Sequence, residues 1–217
     1  MKKRILQAVL RSNLAAFIEK AFKTVDGSQE YCRNWHIEVL ADYLEKCMRG
    51  EIKRLIISVP PRSLKSLCAS VAFPAFLLGH DPSRRIVCVS YSDGLSSKLA
   101  RDCRALMESD FYKQIFPAAK LNPAKRTETE FETTENGYRL ATSVNGTLTG
   151  RGGNMIIIDD PLKPQDALSE SRRESVNQWY NNTLLSRLDN KHEGCIIIVM
   201  QRIHMDDLAG FVQENED

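Results

Sequence analysis

Four short runs of apolar residues, separated by stretches with helical periodicity, constrain the fold of this 217-residue chain more than any other feature. Each run has the length of a strand that is buried on both faces. The runs occupy residues 55–59, 85–90, 154–159 and 195–200. Because apolar strands that alternate with helices are typical of parallel sheets, we predict an α/β fold with a mainly parallel sheet covered by helices on both faces.

Helices are predicted before and between these strands from the spacing of apolar residues. Residues 1–50 are predicted to be a helical segment that leads into a core domain over residues 51–217. The later helices are predicted at 65–78, with a kink at Pro74 and an end at Gly79, then at 93–108, at 168–185 and from Met205 onward. Alternating residues on either side of Asn136-Gly137 predict a β-hairpin over 130–141.

The composition excludes several classes of protein. A chain with 42% hydrophobic and 27% charged residues is neither disordered nor fibrous. A net charge of +2 gives no overall basic field, so any contact with nucleic acid would depend on a local patch. The six cysteines occur singly, which favours reduced thiols over disulfides or zinc. No apolar run has the length of a membrane span, so we expect a soluble intracellular protein.

Ligands of parallel sheets bind beyond the carboxyl ends of the strands. The residues that follow each apolar run in the sequence are therefore the candidates for a binding site. Residues 58–66, behind the first run, have the strand–loop–helix layout of a phosphate-binding loop. In that layout Lys65 reaches the outer phosphates and the Ser66 hydroxyl contacts Mg²⁺. The usual pattern has glycine where this chain has Val59 and Leu64. An ordinary loop followed by a lysine at the start of a helix is therefore an open alternative.

Two acidic residues, Asp159 and Asp160, end the third apolar run. An ATPase needs one carboxylate that holds hydrated Mg²⁺ and another that orients the attacking water. The second carboxylate is more commonly Glu, so Asp160 departs from the usual pattern. A turn or a helix cap is the alternative interpretation of an Asp-Asp pair after a strand.

Two further segments carry candidate residues. The glycine-rich stretch 146–153 presents Arg151, which is either a solvated side chain or a mobile cation that approaches a phosphate. Behind the fourth run, Gln201 and Arg202 are placed to sense the γ-phosphate. A metal site at the nearby His204, Asp206 and Asp207 is a weaker hypothesis than helix capping by the aspartates.

An aromatic residue lies upstream of these segments. Trp35, next to His36, could stack on an adenine, although a tryptophan at the start of a helix more often belongs to the core.

Taken in series, these motifs resemble the N-terminal ATPase region of the large terminase subunit of tailed bacteriophages and prophages. The resemblance runs in order from about residue 30 to the end and is carried by residues 35–36, 59–66, 79–85, 89–92, 147–152, 157–163 and 200–208. The Pro-Pro-Arg loop, the Asp-Asp-Pro strand end and the Gln-Arg strand end are specific only in combination. The family uses a deviant phosphate loop that carries arginine, which accounts for the missing glycines.

The resemblance implies a P-loop NTPase-like core with three layers that uses ATP and Mg²⁺. It implies that Asp159 and Ser66 hold the metal and that Asp160, Arg151 and Arg202 are catalytic, with Arg151 acting on the ATP of a neighbouring subunit. It also implies a set of nucleotide-binding residues, with Arg62 as an extra phosphate contact: Trp35, His36, Pro61, Arg62, Ser63, Leu64, Lys65, Ser66 and Gln201.

For function, the resemblance implies a motor that drives double-stranded viral DNA into a capsid. The implied partners are the portal protein, the small terminase subunit and further copies in a ring, with no membrane. The implied location is the bacterial host cytoplasm, with transient attachment to the capsid. The family's C-terminal nuclease domain has no counterpart in these residues, and we expect the ATPase fold to lack its last strands. A truncated or split prophage fragment that binds nucleotide or packaging partners without turnover is the alternative.

Overall fold

A seven-stranded sheet forms the centre of the protein in the computed structural model, which describes residues 2–146, 148 and 150–215. The strand order is β1-β7-β6-β2-β5-β4-β3. The five strands from β1 to β5 in this order are parallel, whereas β4 and β3 are antiparallel additions at the edge. The strands are β1 (Arg54–Ser58), β2 (Arg85–Ser90), β3 (Leu121–Arg126), β4 (Glu130–Thr133), β5 (Tyr138–Ser143), β6 (Met155–Asp159) and β7 (Cys195–Met200).

Helices cover both faces of this sheet. They are α1 (Lys2–Ser12), α2 (Leu14–Val25), α3 (Trp35–Met48), α4 (Phe73–His80), α5 (Asp93–Glu108), α6 (Asp110–Ile115), α7 (Glu170–Trp179) and α8 (Leu208–Asn215). Two π-helical segments extend them, at Leu67–Ala72 before α4 and at Tyr180–Leu184 after α7. The predicted mixed α/β fold with a mostly parallel, helix-covered sheet is confirmed.

Alternation along the strands divides the apolar core into two layers, because successive side chains point to opposite faces of a sheet. In β6, Ile157 packs with the core on the side of α1–α6, whereas Ile156 and Ile158 pack on the side of α7 and α8. All five residues of β6 are buried. A strand covered on both faces needs apolar residues at every position, which is why the sequence shows runs rather than alternation here.

The predicted strands and the hairpin are confirmed, but several helix predictions need correction. The helix behind the first strand contains a π-helical segment and continues through Gly79 to His80, with Pro74 in the first turn of α4 rather than at a kink. The helix predicted at 168–185 is α7 followed by the second π-helix and a 3₁₀ turn at Leu185–Arg187. The last helix begins at Leu208 rather than Met205. The sequence patterns gave no indication of β3 or α6.

None of the helices in the described part of the chain combines the length and apolar character that crossing a bilayer requires. The six cysteines carry free thiols, and all except Cys32 are buried.

Candidate active site

Three adjacent strands bring the candidate residues together. β7 lies between β1 and β6, and all three run in the same direction. Their carboxyl ends therefore open at one edge of the sheet, where the loop 59–66, the acidic pair and Gln201 meet. The backbone N–H of Val59 donates to the Met200 carbonyl at 3.2 Å, which fixes the start of the loop against β7.

The loop between β1 and the helix has the backbone geometry that explains its unusual sequence. Arg62 and Leu64 both have left-handed conformations, with φ of 63° and 61°. Glycine adopts this conformation without the cost of about 1–2 kcal/mol that a side chain imposes. The Ser63 hydroxyl donates to the Pro60 carbonyl at 2.7 Å, and helical backbone begins at Lys65. The chain therefore builds a tight strand–loop–helix turn without glycine.

Lys65 and Asp160 form an ion pair across the site, with 2.6 Å between Lys65 Nζ and Asp160 Oδ2. Lys65 is 8% exposed, so the pair is largely shielded from water. The second Asp160 oxygen accepts a hydrogen bond from the Gln201 backbone N–H at 3.2 Å. Asp160 itself has a φ of 46°, a conformation that non-glycine residues adopt mainly where surrounding contacts enforce it. The lysine of the loop, the acid after β6 and the end of β7 are thus one connected group.

Asp159 is buried and accepts hydrogen bonds from two serines. Ser66 Oγ donates to Oδ1 at 3.0 Å, and Ser70 Oγ donates to Oδ2 at 2.7 Å. The pKa of the Asp159 carboxyl is raised from 3.8 to about 6, chiefly by burial and also by the neighbouring Asp160, against the two serine hydroxyls and Lys65, which lower it. At neutral pH the carboxylate is therefore ionised and able to bind a cation.

The donor set fits magnesium. The Ser66 hydroxyl and the Asp159 carboxylate present hard oxygen atoms within 3.0 Å of each other. Mg²⁺ is bound in proteins by one or two such oxygens together with waters and substrate phosphates. These two residues would hold the ion beside the loop.

A cavity of about 270 Å³ borders the loop on the side of α2 and α5. The cations Arg62, Lys65 and Lys98 line it, and Lys98 was not identified from the sequence. Lys98 is paired with Asp102 at 2.6 Å and Asp26 also lines the wall, so Arg62 and Lys65 are the cations that suit an anionic ligand.

Sequence reasoning also missed Ser70 and Arg139. Ser70 lies four residues after Ser66, so a helix places both hydroxyls on the same face, and that spacing was the available signal. Arg139, in β5, is 0% exposed and donates from Nη2 to the Ser70 carbonyl at 3.0 Å. No pattern in the sequence indicates that this arginine lies inside the sheet, because buried arginines are rare.

The structure does not bring Arg151 into this group. Its guanidinium forms an ion pair with Glu130 of β4 and lies 5.0 Å from the centroid of the Tyr138 ring. Thr147 and Thr149 of the glycine-rich segment lie outside the described residues. The role of Arg151 on a neighbouring subunit stays a prediction.

Arg202 is engaged at the start of α8. It forms an ion pair with Asp207 at 3.0 Å and donates to the carbonyls of His204 and Met205. Asp207 also accepts from the backbone N–H groups of Ile203, His204 and Gly210. The helix-capping interpretation of Asp207 is confirmed. The catalytic role of Arg202 stays a prediction.

Trp35 and His36 differ in their relation to the loop. The His36 ring nitrogen Nε2 is 3.1 Å from the Ser63 carbonyl, so it contacts the loop directly. Trp35 is 74% exposed, and the interpretation of this residue as part of the core is wrong. The exposed indole lies edge-on to the His36 ring and is compatible with stacking on a base.

The parallel sheet with this loop at its carboxyl edge is a P-loop NTPase-like α/β fold. No family model and no curated protein sequence matches the chain. Among solved structures, the chain is similar to the large terminase of bacteriophage HK97, at 15% sequence identity and a TM-score of 0.55. The match covers 95% of this chain and 42% of that terminase. The chain therefore has a terminase-like fold.

Proposed function

We propose that this chain is the ATPase motor domain of a DNA-packaging terminase. The observation that carries the proposal is the hydrogen-bonded group of Lys65, Ser66, Asp159 and Asp160 at the carboxyl edge of the sheet. Each residue has the chemistry that one part of ATP hydrolysis requires. The terminase-like fold supports the choice of motor over other nucleotide hydrolases.

In the proposed mechanism, the loop binds the triphosphate through its backbone N–H groups and through Arg62 and Lys65. Lys65 has three N–H donors, so its bond to Asp160 leaves donors for phosphate oxygens. Ser66 and Asp159 hold Mg²⁺, which neutralises charge on the outer phosphates when it is bound. Asp160 orients the attacking water, and the Gln201 N–H fixes the orientation of its carboxylate.

Binding and turnover of ATP by the purified chain test the proposal. We expect saturable ATP binding with Mg²⁺ and release of phosphate that double-stranded DNA stimulates. Lys65→Ala is expected to abolish binding. The matched control is Lys125→Ala, because Lys125 is an exposed lysine of β3 at the opposite edge of the sheet. Unchanged ATP affinity in Lys65→Ala would contradict the site assignment.

A second candidate function is nucleotide binding without turnover, as a terminase fragment. The engagement of both Asp160 oxygens, by Lys65 and by Gln201, favours it, because a carboxylate with two fixed donors is less available to a water. ATP binding with no phosphate release, with or without DNA and a supplied nuclease-domain partner, would support this candidate. Absence of ATP binding would contradict both.

The wider assembly is part of the proposal. The proposed partners are double-stranded DNA, a portal protein, a small terminase subunit and further copies of this chain in a ring, in a bacterial host cytoplasm.

In that ring Arg151 would leave Glu130 and act on the ATP of a neighbour. We expect Arg151→Ala to keep its ATP affinity but to lose turnover that depends on assembly. Glu130→Gln, which keeps the arginine, is the control. Full hydrolysis by assembled Arg151→Ala would refute the role in trans.

A further inference from the structure

Two serines hold the Asp159 carboxylate from opposite sides. Ser66 lies at the partly exposed end of the helix and bonds Oδ1, whereas Ser70 is 0% exposed and bonds Oδ2. Oδ1 therefore faces the phosphate-binding loop and Oδ2 faces the interior. Rotation about the last side-chain torsion of an aspartate is only weakly restricted by the torsion itself. Two donors on different oxygens fix the plane of the carboxylate.

The backbone of Ser70 is in turn held by a hydrogen bond from Arg139. Ser70 belongs to the π-helical segment Leu67–Ala72, and its carbonyl accepts a hydrogen bond of 3.0 Å from Arg139 Nη2. Arg139 is the largest fully buried side chain of the described residues. Its Nε and Nη1 have no hydrogen-bond partner within the described part of the chain. The Ser70 carbonyl is thus the acceptor that this buried cation hydrogen-bonds. The π-helical conformation of the segment is also relevant, because such segments occur frequently at functional sites.

We propose that Ser70 is a positioning residue for the divalent cation, with Arg139 as its support. Ser70 touches neither nucleotide nor metal. It acts through Asp159, whose Oδ1 it keeps directed towards Ser66 and the ion. Outer partners of metal ligands typically change metal affinity about 10–100-fold when they are removed. The inference rests on the proposed nucleotide function, since it concerns the metal of the same site.

Ser70→Ala tests the inference, because it removes the hydroxyl and leaves the volume nearly unchanged. The probe is Mn²⁺, titrated by electron paramagnetic resonance in the presence of a non-hydrolysable ATP analogue. We expect Mn²⁺ affinity to fall about 10–100-fold. Affinity for the analogue without divalent cation is expected to stay unchanged, because the loop contacts are intact. Ser70→Thr, which keeps the hydroxyl, is expected to restore most of the Mn²⁺ affinity.

Ser96→Ala is the matched control. Ser96 is a buried serine of α5 whose hydroxyl donates to the backbone carbonyl of Asp93. We expect this variant to bind Mn²⁺ like the wild type.

The outcomes separate the two proposals. Wild-type protein that does not bind Mn²⁺ with the analogue refutes the proposed function and this inference together. Wild-type binding with equal Mn²⁺ affinity in Ser70→Ala refutes the positioning role alone. Loss of metal-free nucleotide binding in Ser70→Ala also refutes it, because the serine would then have a structural role only.

Discussion

Replacing Asp159 by asparagine is expected to raise the free energy of unfolding at neutral pH. The gain relative to wild type should be smaller at acidic pH. Burial raises the pKa of the Asp159 carboxyl from 3.8 to about 6. The native state therefore holds this proton more tightly than the unfolded chain does. Stability then falls as the pH rises from about 4 to about 6, and the whole penalty is present above pH 6. Asp159→Asn has no charge to bury and avoids this penalty.

The magnitude follows from the shift in pKa. At about 1.4 kcal/mol per unit of pKa, the raised pKa of Asp159 costs the native state about 3 kcal/mol at pH 7.5 and about 1.5 kcal/mol at pH 5, where the native carboxyl is mostly protonated. Asparagine has one acceptor oxygen, so either Ser66 or Ser70 loses its acceptor, which costs about 1–2 kcal/mol at both pH values. That cost cancels in the comparison of the two pH values. The stability of the variant relative to wild type should therefore rise by about 1.5 kcal/mol from pH 5 to pH 7.5.

Urea unfolding of both proteins at pH 5 and pH 7.5, in a chelator and without nucleotide, measures this difference. Asp207→Asn is the matched control. Its carboxylate is also buried but pairs with Arg202 and accepts three backbone N–H groups, so the same substitution should destabilise the protein at both pH values. A relative stability of Asp159→Asn that is the same at pH 5 and pH 7.5, or lower at pH 7.5, would refute the reasoning.

Three further substitutions test other contacts. Tyr112→Phe should lower the free energy of unfolding by about 1–2 kcal/mol in urea titrations, because it removes the buried hydroxyl that donates a hydrogen bond to the Ala75 carbonyl. An unchanged free energy of unfolding would contradict that contact. Trp35→Ala should change stability by less than about 0.5 kcal/mol, because the side chain is 74% exposed. Under the proposed base contact, calorimetry should show weaker ATP binding but unchanged binding of inorganic triphosphate, and an equal loss for both would exclude stacking. Arg62→Gly should change stability by less than about 1 kcal/mol, because relief of the left-handed strain offsets the entropy of glycine. Under the proposed function, ATP affinity should fall in this variant because the cation is lost.

The parallel part of the fold could be predicted because its strands are buried on both faces. A strand such as β6 needs apolar residues at every position, and that requirement appears in the sequence as a continuous run. β3 has mostly exposed residues, so no pattern of burial marks it. The π-helical segments were also missed, since one wider turn barely alters the spacing of apolar residues.

The candidate site could be predicted in part, because Asp159 and Asp160 lie at the end of β6 and Lys65 follows the loop after β1, two strands that end at the same edge. The left-handed conformation of Leu64 explains why a pattern that demands glycine fails on this chain. Contacts that depend on packing were beyond the sequence. The burial of Arg139 and the exposure of Trp35 are both opposite to the usual behaviour of their residue types.

The position of β1 at the edge of the sheet has a consequence for synthesis. Among the described residues β1 pairs only with β7, so its ladder joins residues about 140 positions apart in the chain, such as Ile57 and Val199. At about 5–20 residues per second, a ribosome needs roughly 7–30 s to make the residues between them. During that interval the apolar segment before the loop 59–66 has no strand partner, and unpaired strands are prone to aggregation. The proposed nucleotide site is consequently among the last parts of the molecule to form, and a bound nucleotide could not assist folding before β7 has emerged.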